Sequence, residues 1–261
     1  MIPLILNNIF GHGYRKQDLE LFRKAGFIFR SGQASYAGAQ QLHFIDFFSG
    51  PCLELIEVTD PEVYESFTPP GMIPYAPGLN FGVPEGHPGA IQDFERIFAD
   101  WEPYLLHENY EGGQEEHQPG WNYLNFKHAV VPGTFTWITE FDQPYPASHP
   151  RTVHPNGVQG VSGLVFDLNP EELEDLEKLT AQPVRKGILD QNGMPVYCRG
   201  GIELDPPPSG KKFPLTAVLL QGSDPGLFED LDISLQKLKV NGQPALRLET
   251  PARSWEIVIV F

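Results

Sequence analysis

Apolar residues recur along the chain with two spacings, and these two spacings follow each other in a repeated order. PCLELIEV, residues 51–58, is a short apolar run with a glutamate in its middle, which predicts a β-strand whose side chains point alternately to two faces. In PGAIQDFERIFADW, residues 88–101, the apolar residues fall three and four positions apart, which predicts a helix with one buried face. Further strand-like segments surround both stretches. Together they predict a unit with the order β-α-β-β-β.

This unit occurs four times, and its last copy is the least regular. The third copy has a well-marked helix start, with Asn169 as the N-cap and Pro170 in the first turn. The fourth copy contains Asn241 and Gly242, a pair that favours a hairpin turn. The predicted units cover residues 1–60, 78–142, 158–205 and 213–261.

A linker separates the second unit from the third. The segment DQPYPASHPRTVHPNGVQG is rich in Pro, Ser and Gly, a composition typical of connecting loops. The sequence therefore predicts an α+β protein with two domains, residues 1–145 and 158–261, joined by residues 146–157.

Composition and charge limit the function classes. Hydrophobic residues make up 41% of the chain, which is typical of a globular protein, and 26 Gly and 26 Pro indicate many turns. A net charge of −16 argues against nucleic acid or an anionic membrane surface as partner, which leaves small molecules and proteins. The start, MIPLILNN, lacks the basic region and cleavage pattern of a signal peptide, so a cytoplasmic location is expected.

A glutamate recurs in the last strand of each unit. Glu54 lies in the middle of PCLELIEV and shares its strand face with apolar neighbours, where an unpaired carboxylate is costly. In all four units a large apolar residue follows the glutamate. The four glutamates are Glu54, Glu140, Glu203 and Glu256.

Two segments carry a resemblance to a known family. SYAGAQQLHFIDFFSGPCLELIEVTDPE and HPNGVQGVSGLVFDL resemble the glyoxalase-like branch of the vicinal oxygen chelate superfamily, which includes glyoxalase I, extradiol dioxygenases and bleomycin-resistance binding proteins. The resemblance implies that paired units form half-open barrel-like sheets with the helices outside. In metal-dependent members it implies that a His or Gln of each first strand and a Glu of each fourth strand bind one divalent ion.

The sequence departs from that ligand pattern. The first-strand positions hold Asn8, or its neighbour Asn7, and Asn80, and asparagine is a poor ligand for a transition metal. Glu54 and Glu140 are predicted as the catalytic pair facing one cleft, with Asn8 and Asn80 as substrate-binding residues beside them. The alternative is that both glutamates are inherited positions that are hydrogen-bonded within the protein.

Three histidines are further candidates for the cleft. His43 and His128 each share a strand face with apolar residues, a setting in which histidine is more often a hydrogen-bonded core residue than a ligand. His154, in the HPNG turn of the linker, is predicted to fold over the mouth of the cleft. All three are predicted substrate-binding residues, and Glu54, Glu140 and His128 are the candidate ligands of a divalent metal whose presence the sequence leaves open.

Two hypotheses about function follow. The first is an enzyme of the glyoxalase-like type that acts on a small oxygenated organic molecule, with lyase, isomerase and dioxygenase chemistry all open. The second is a metal-free protein that binds or sequesters a small molecule, in the manner of bleomycin-resistance proteins. A homodimer is also left open, because units of this kind pair within one chain or between two.

Overall fold

The first two units fold in the predicted β-α-β-β-β order. The computed structural model describes residues 2, 4–35, 38–66, 75–108, 120–142, 152–180, 196–198, 204–205, 213–249 and 255–261. The elements of the first unit are β1 (Ile5–Tyr14), α1 (Lys16–Lys24), β2 (Arg30–Ser35), β3 (Gln40–Ile45) and β4 (Cys52–Val58), followed by α2 (Pro61–Ser66). Those of the second unit are β5 (Gly78–Gly82), α3 (Ala90–Ile97), a 3₁₀ helix (Ala99–Trp101), β6 (Pro103–Glu108), β7 (Trp121–Phe126) and β8 (Phe135–Phe141).

These eight strands form one mixed sheet in the order β2-β3-β4-β1-β5-β8-β7-β6. Within each unit the first and fourth strands run parallel, β1 beside β4 and β5 beside β8. The two units join through the antiparallel pair of β1 and β5 at the centre of the sheet. The first and fourth strands of both units are therefore the four central strands.

Helices α1 and α3 pack on one face of this sheet. Leu19 and Phe22 of α1 and Phe94 of α3 share a buried core with Leu53 of β4 and Ile138 of β8. Side chains alternate along each strand, so the neighbours of Leu53 and Ile138 point to the opposite face. We call that opposite face the inner face of the first sheet.

The second half forms a seven-stranded mixed sheet in the order β10-β9-β12-β15-β14-β13-β11. The predicted α+β class with mixed sheets is confirmed. The elements of this half are β9 (Val158–Phe166), α4 (Pro170–Thr180), β10 (Val196–Cys198), β11 (Leu204–Asp205), β12 (Leu215–Gly222), a 3₁₀ helix (Pro225–Phe228), β13 (Leu235–Val240), β14 (Gln243–Leu248) and β15 (Glu256–Val260).

Local signals in this half behave as the sequence predicts. The Asn169 side chain accepts hydrogen bonds from the backbone N–H groups of Glu171 and Glu172 at 2.9 and 3.0 Å and so caps α4. Asn241 and Gly242 adopt φ angles of 48° and 82°, the left-handed values of a tight hairpin turn between β13 and β14.

The third unit differs from its predicted layout. The strand parallel to β9 is β10, so β10 holds the fourth-strand place of this unit. Leu204 and Asp205 instead pair with β13 at the other edge of the sheet. The prediction that the segment ending in Leu204 is the fourth strand of this unit is wrong, and Glu203 itself lies outside the described residues.

The two halves contact each other through the end of the linker and through Trp255, the residue before β15. The Asn156 side chain donates to the carbonyl of Ala25 at 2.7 Å, which ties the HPNG turn to the end of α1. The indole of Trp255 donates to the carbonyl of Phe10 at 3.1 Å. The second half is therefore in direct contact with α1 and β1 of the first.

Within the described part of the chain, none of the helices has the length and apolar character required to cross a bilayer.

Candidate active site

Strand register brings polar and aromatic side chains together on the inner face of the first sheet. Residues paired across neighbouring strands point to the same face, so the pairing defines rows of side chains. One row runs from β4 through β1 and β5 to β8, and a second row lies directly beside it. The first row is Cys52, Asn8, Asn80 and Trp137, and the second is Glu54, Phe10, Gly78 and Phe135.

Glu54 is the buried carboxyl group of this face. Only 8% of the residue is exposed, and the amide nitrogen of Asn8 donates a hydrogen bond to its Oε2. Burial raises the pKa of Glu54 to about 7, although the Asn8 hydrogen bond and the Arg30 charge both oppose the rise. Glu54 can therefore gain or lose a proton near neutral pH.

Aromatic rings form the surface next to Glu54. The Phe10 ring lies 4.5 Å from the Trp137 ring and 6.2 Å from the Phe135 ring, measured between centroids. The Phe10 ring also lies directly over Gly78, where an added Cβ would come within 1.6 Å of a ring carbon. A glycine at position 78 is therefore required for this ring arrangement.

His12, near the end of β1, completes the aromatic group. Its ring lies 5.0 Å from Phe10 and 5.7 Å from Phe135. Its Nδ1–H donates to the carbonyl of Ala76 at 2.7 Å, and burial lowers its pKa to about 4, so the ring is neutral at pH 7. The signal that could have found it is the two-residue spacing of Asn8, Phe10 and His12 along β1.

Asn80 is engaged at both ends of its amide. Its oxygen accepts from the Asn7 amide at 3.2 Å, and its nitrogen donates to the Thr139 hydroxyl at 2.6 Å. Asn8 and Asn80 therefore lie on the inner face, and both bind protein groups there.

Arg30 lies at the β2 border of this face. Its guanidinium forms two hydrogen bonds with the buried carboxylate of Asp46, at 2.6 and 2.9 Å, and covers the Phe44 ring at 4.3 Å. Phe44 is the residue on β3 that pairs with Glu54. Arg30 therefore brings positive charge near Glu54 while being balanced by Asp46.

Glu140 faces the other side of the sheet, so the prediction that it shares a cleft with Glu54 is wrong. It alternates with Trp137 and Thr139 of the inner face and shares the helix-covered face with Ile138. Its Oε1 accepts a hydrogen bond of 2.6 Å from the backbone N–H of Gly89, the N-cap residue of α3. A strand register one residue away from the predicted one accounts for the difference, and Thr139 takes the inner-face position.

His43 and His128 also lie away from the inner face, contrary to prediction. His43 pairs with Leu55 of the core and thus points to the helix-covered face, where its Nε2 lies 3.2 Å from the Glu57 carboxylate. His128 follows the end of β7 with a side chain 64% exposed, 3.3 Å from Glu102. Neither side chain can contact a ligand bound beside Glu54.

His154 fastens the linker to the first unit and does not cover a cleft mouth as predicted. Its Nδ1 accepts from the backbone N–H of Ile28 at 3.1 Å. Its ring packs between Phe27 and Phe47 at 5.5 and 5.4 Å, and burial lowers its pKa. These contacts belong to the core on the helix side.

The inner-face residues do not fit a divalent metal. The candidate ligands Glu54, Glu140 and His128 do not converge, since the last two lie on other surfaces. Asn80 uses both ends of its amide within the protein. In the described part of the chain there is no group of three or more His, Cys, Asp or Glu side chains that could hold a metal ion.

The second sheet has a glutamate in the corresponding fourth-strand position. Glu256 begins β15, and its carboxylate lies 2.9 Å from the guanidinium of Arg247 on β14. Both side chains are 7% exposed. Arg247 also donates to the Gln236 side chain at 2.8 Å. Sequence reasoning missed Arg247, because it gave β14 only a hairpin role.

Comparisons with known proteins establish the fold alone. No family model matches the chain, and no curated protein matches it in sequence. A crystal structure of catechol 2,3-dioxygenase aligns with 100% of this chain and 88% of its own, at 9% identity and a TM-score of 0.56. A structure of 2,2',3-trihydroxybiphenyl 1,2-dioxygenase from Sphingomonas wittichii strain RW1 aligns with 99% of this chain and 90% of its own, at 9% identity and a TM-score of 0.52.

A third structure, an extradiol ring-cleaving dioxygenase from B. fuscum, aligns with 100% of this chain and 72% of its own, at 11% identity and a TM-score of 0.56. The chain has the fold of extradiol dioxygenases. That fold is the one implied by the vicinal oxygen chelate resemblance. A shared fold does not identify the glyoxalase-like branch, because proteins of one fold have different functions.

Proposed function

We propose that the protein binds a small oxygenated organic molecule on the inner face of the first sheet, and that Glu54 exchanges a proton with it. The observation that carries this proposal is the position of Glu54, a buried carboxyl group that is held by Asn8 and paired with Phe10, whose ring contacts that of Trp137. Polar groups placed within an apolar, aromatic surface are the usual composition of a site for an organic ligand.

The acid–base property of Glu54 supports proton transfer. A general acid or base is most effective when its pKa is near the working pH, and the pKa of Glu54 is raised to about 7. Asn8 holds the carboxyl group in one orientation through its Oε2. Neutral His12 adds no charge to the surface at pH 7. Proton transfer at a carbon next to a carbonyl, as in an isomerase or lyase, is the reaction class that these groups support.

The chemistry of the ligand is suggested by the structural neighbours. The names of two of them refer to catechol and trihydroxybiphenyl, small aromatic molecules with two or more hydroxyl groups. The half-buried rings of Phe135 and Trp137 suit the carbon skeleton of such a molecule. Ring opening by dioxygen is not part of the proposal, because the inner-face residues lack the ligand set that the resemblance implies for a metal.

The test follows hydrogen exchange in D₂O by NMR, with a panel of small hydroxyketones and catechols. We expect the protein to accelerate exchange at a carbon-bound hydrogen of at least one hydroxyketone, and Glu54→Gln to lower that rate by about 100-fold or more. Glu140→Gln is the matched control and should retain the rate, since Glu140 lies on the helix-covered face. Equal rates for the protein and Glu54→Gln would refute the proposal.

One observation favours a second candidate, a metal-free binding protein of the bleomycin-resistance type. Asn8 and Asn80 both bind protein groups, which gives a fixed polar surface that needs no change on ligand binding. Binding of a panel compound by calorimetry, without any exchange and with affinity reduced in Glu54→Gln, would favour this candidate over the enzyme.

A further inference from the structure

The fourth-strand glutamate of the second sheet has apolar neighbours in its row. Glu256 pairs with Ala217 on β12, and Ala217 pairs with Val165 on β9. The first strands of the third and fourth units thus place an alanine and a valine beside this carboxylate. The vicinal oxygen chelate resemblance assigns metal ligands to first strands, and neither side chain can be one.

The surroundings of Glu256 make a positive partner necessary. Ala217 and Val165 belong to a buried apolar cluster on this face of the sheet, together with Leu219, Leu238 and Val258. A carboxylate in such a place loses its hydration, and the loss costs several kcal/mol unless an opposite charge or several hydrogen bonds compensate.

Arg247 supplies that charge from the neighbouring strand. Its guanidinium forms an ion pair with the Glu256 carboxylate at 2.9 Å and donates a hydrogen bond of 2.8 Å to the Gln236 side chain. Arginine stays protonated at all physiological pH values, so its charge does not depend on pH or on any bound species. A divalent ion bound to the same carboxylate would lie next to this fixed positive charge and would be repelled by it.

We propose that Arg247 is the permanent counter-cation of Glu256 and takes the place that a divalent metal has in metal-dependent proteins of this fold. The second sheet then keeps its fourth-strand carboxylate and its fold without any metal. This inference concerns the second half alone and does not depend on the proposed role of Glu54.

The first test is a double-mutant cycle on the full chain, with unfolding followed by circular dichroism. Arg247→Met and Glu256→Leu should each lower the Tm by about 10 °C, because each leaves one buried charge without its partner. The double variant should recover most of that loss, since it removes both charges. Arg96→Met, which removes a partner from the exposed Arg96–Asp93 pair, is the control and should leave the Tm unchanged.

Additive losses in the double variant would overturn the proposal, because they would mean that the two side chains act separately. If the variants fail to fold, a second test uses the unmodified protein and the conservative variant Glu256→Gln. Calorimetric titration with Mn²⁺, Fe²⁺ or Zn²⁺ after chelation should detect no binding that Glu256→Gln abolishes, and chelation should not change the Tm. Stoichiometric metal binding that is lost in Glu256→Gln would overturn the proposal. Binding that is lost only in Glu54→Gln would leave the proposal intact and would instead contradict the conclusion that the first sheet does not hold a metal.

Discussion

Each of the two sheets holds a buried glutamate on a fourth strand, and the two glutamates have different partners. Glu54 in the first sheet is bound by the neutral amide of Asn8, among aromatic rings. Glu256 in the second sheet is paired with the charged guanidinium of Arg247, among aliphatic side chains. The same strand position therefore has two electrostatic settings in one chain.

The comparison teaches that the charge of the partner decides what a buried carboxylate can do. An amide stabilises the ionised form only in part, so burial still raises the pKa of Glu54 to about 7. A guanidinium compensates the full charge of the carboxylate. The first setting suits proton exchange with a ligand, and the second suits a fixed structural contact.

The largest expected effect is that Glu54→Gln and Glu256→Gln change the free energy of unfolding in opposite directions at pH 8. The pKa of Glu54 is about 7 in the folded state, against an ordinary 4.5. Between pH 4.5 and pH 7, Glu54 is therefore protonated in the folded protein and ionised in the unfolded chain. The contribution of Glu54 to stability is complete below pH 4.5 and is lost as pH rises to 7, a change of about 3 kcal/mol. Glu54→Gln should therefore be more stable than the unmodified protein at pH 8 and equal to it at pH 4.

Glu256→Gln should be less stable than the unmodified protein at pH 8, because Arg247 loses the charge that faces it. Urea unfolding at pH 4, 6 and 8 measures both variants. Curves for Glu54→Gln and the unmodified protein that run parallel from pH 4 to 8 would contradict the assigned titration of Glu54.

The second prediction concerns the aromatic rings on the inner face of the first sheet, where the second sheet has aliphatic side chains around Glu256. Gly78→Ala places a methyl group against the Phe10 ring, and should destabilise the protein by about 2 kcal/mol while displacing that ring. Gly82→Ala is the matched control on the same strand, because its Cβ would lie 3.7 Å or more from the nearest atoms. Urea unfolding of both variants measures the difference, and equal effects would refute the tight contact at position 78.

The third prediction tests the amide partner of Glu54. The Asn8 hydrogen bond lowers the pKa of Glu54, so Asn8→Ala should raise that pKa by on the order of one unit above 7. NMR titration of the ¹³C-labelled side-chain carboxyl group gives the value directly. Asn122→Ala is a control on the exposed part of β7, and should leave the titration unchanged.

The smallest effect is expected at Glu140. Glu140→Ala removes the hydrogen bond to the N–H of Gly89 at the start of α3 and should reduce stability by about 1 kcal/mol. Ligand binding on the inner face should stay unchanged, since the side chain points to the helices. Loss of binding with unchanged stability would place Glu140 in the site after all.

Much of the fold could be predicted because its signals are local. The helical stripe with Phe94 and Phe98, the cap at Asn169 and the turn at Asn241 and Gly242 each depend on residues close in sequence. The inner-face positions of Glu54, Asn8 and Asn80 were also predicted, because strand alternation gives their faces once the strands are aligned.

The errors in the candidate site come from properties that only the assembled sheet determines. Glu140 and Thr139 are neighbours on one strand, and a shift of one residue exchanges their faces. Arg247 reaches Glu256 because β14 lies beside β15, and no local pattern specifies which side chains will meet there. His43 and His128 matched the apolar alternation of strands, yet their faces depend on register and on where β7 ends.

Trp255 gives the boundary between the halves a practical consequence for protein engineering. Its buried indole packs against Gly11 and Tyr14 of the first half and donates to the carbonyl of Phe10. A fragment ending before the linker would expose that part of β1 to water and leave the carbonyl without its donor. A chimera that joins this first half to the second half of another protein thus requires a tryptophan just before its last strand. A side chain of similar size and hydrogen-bonding capacity would also serve.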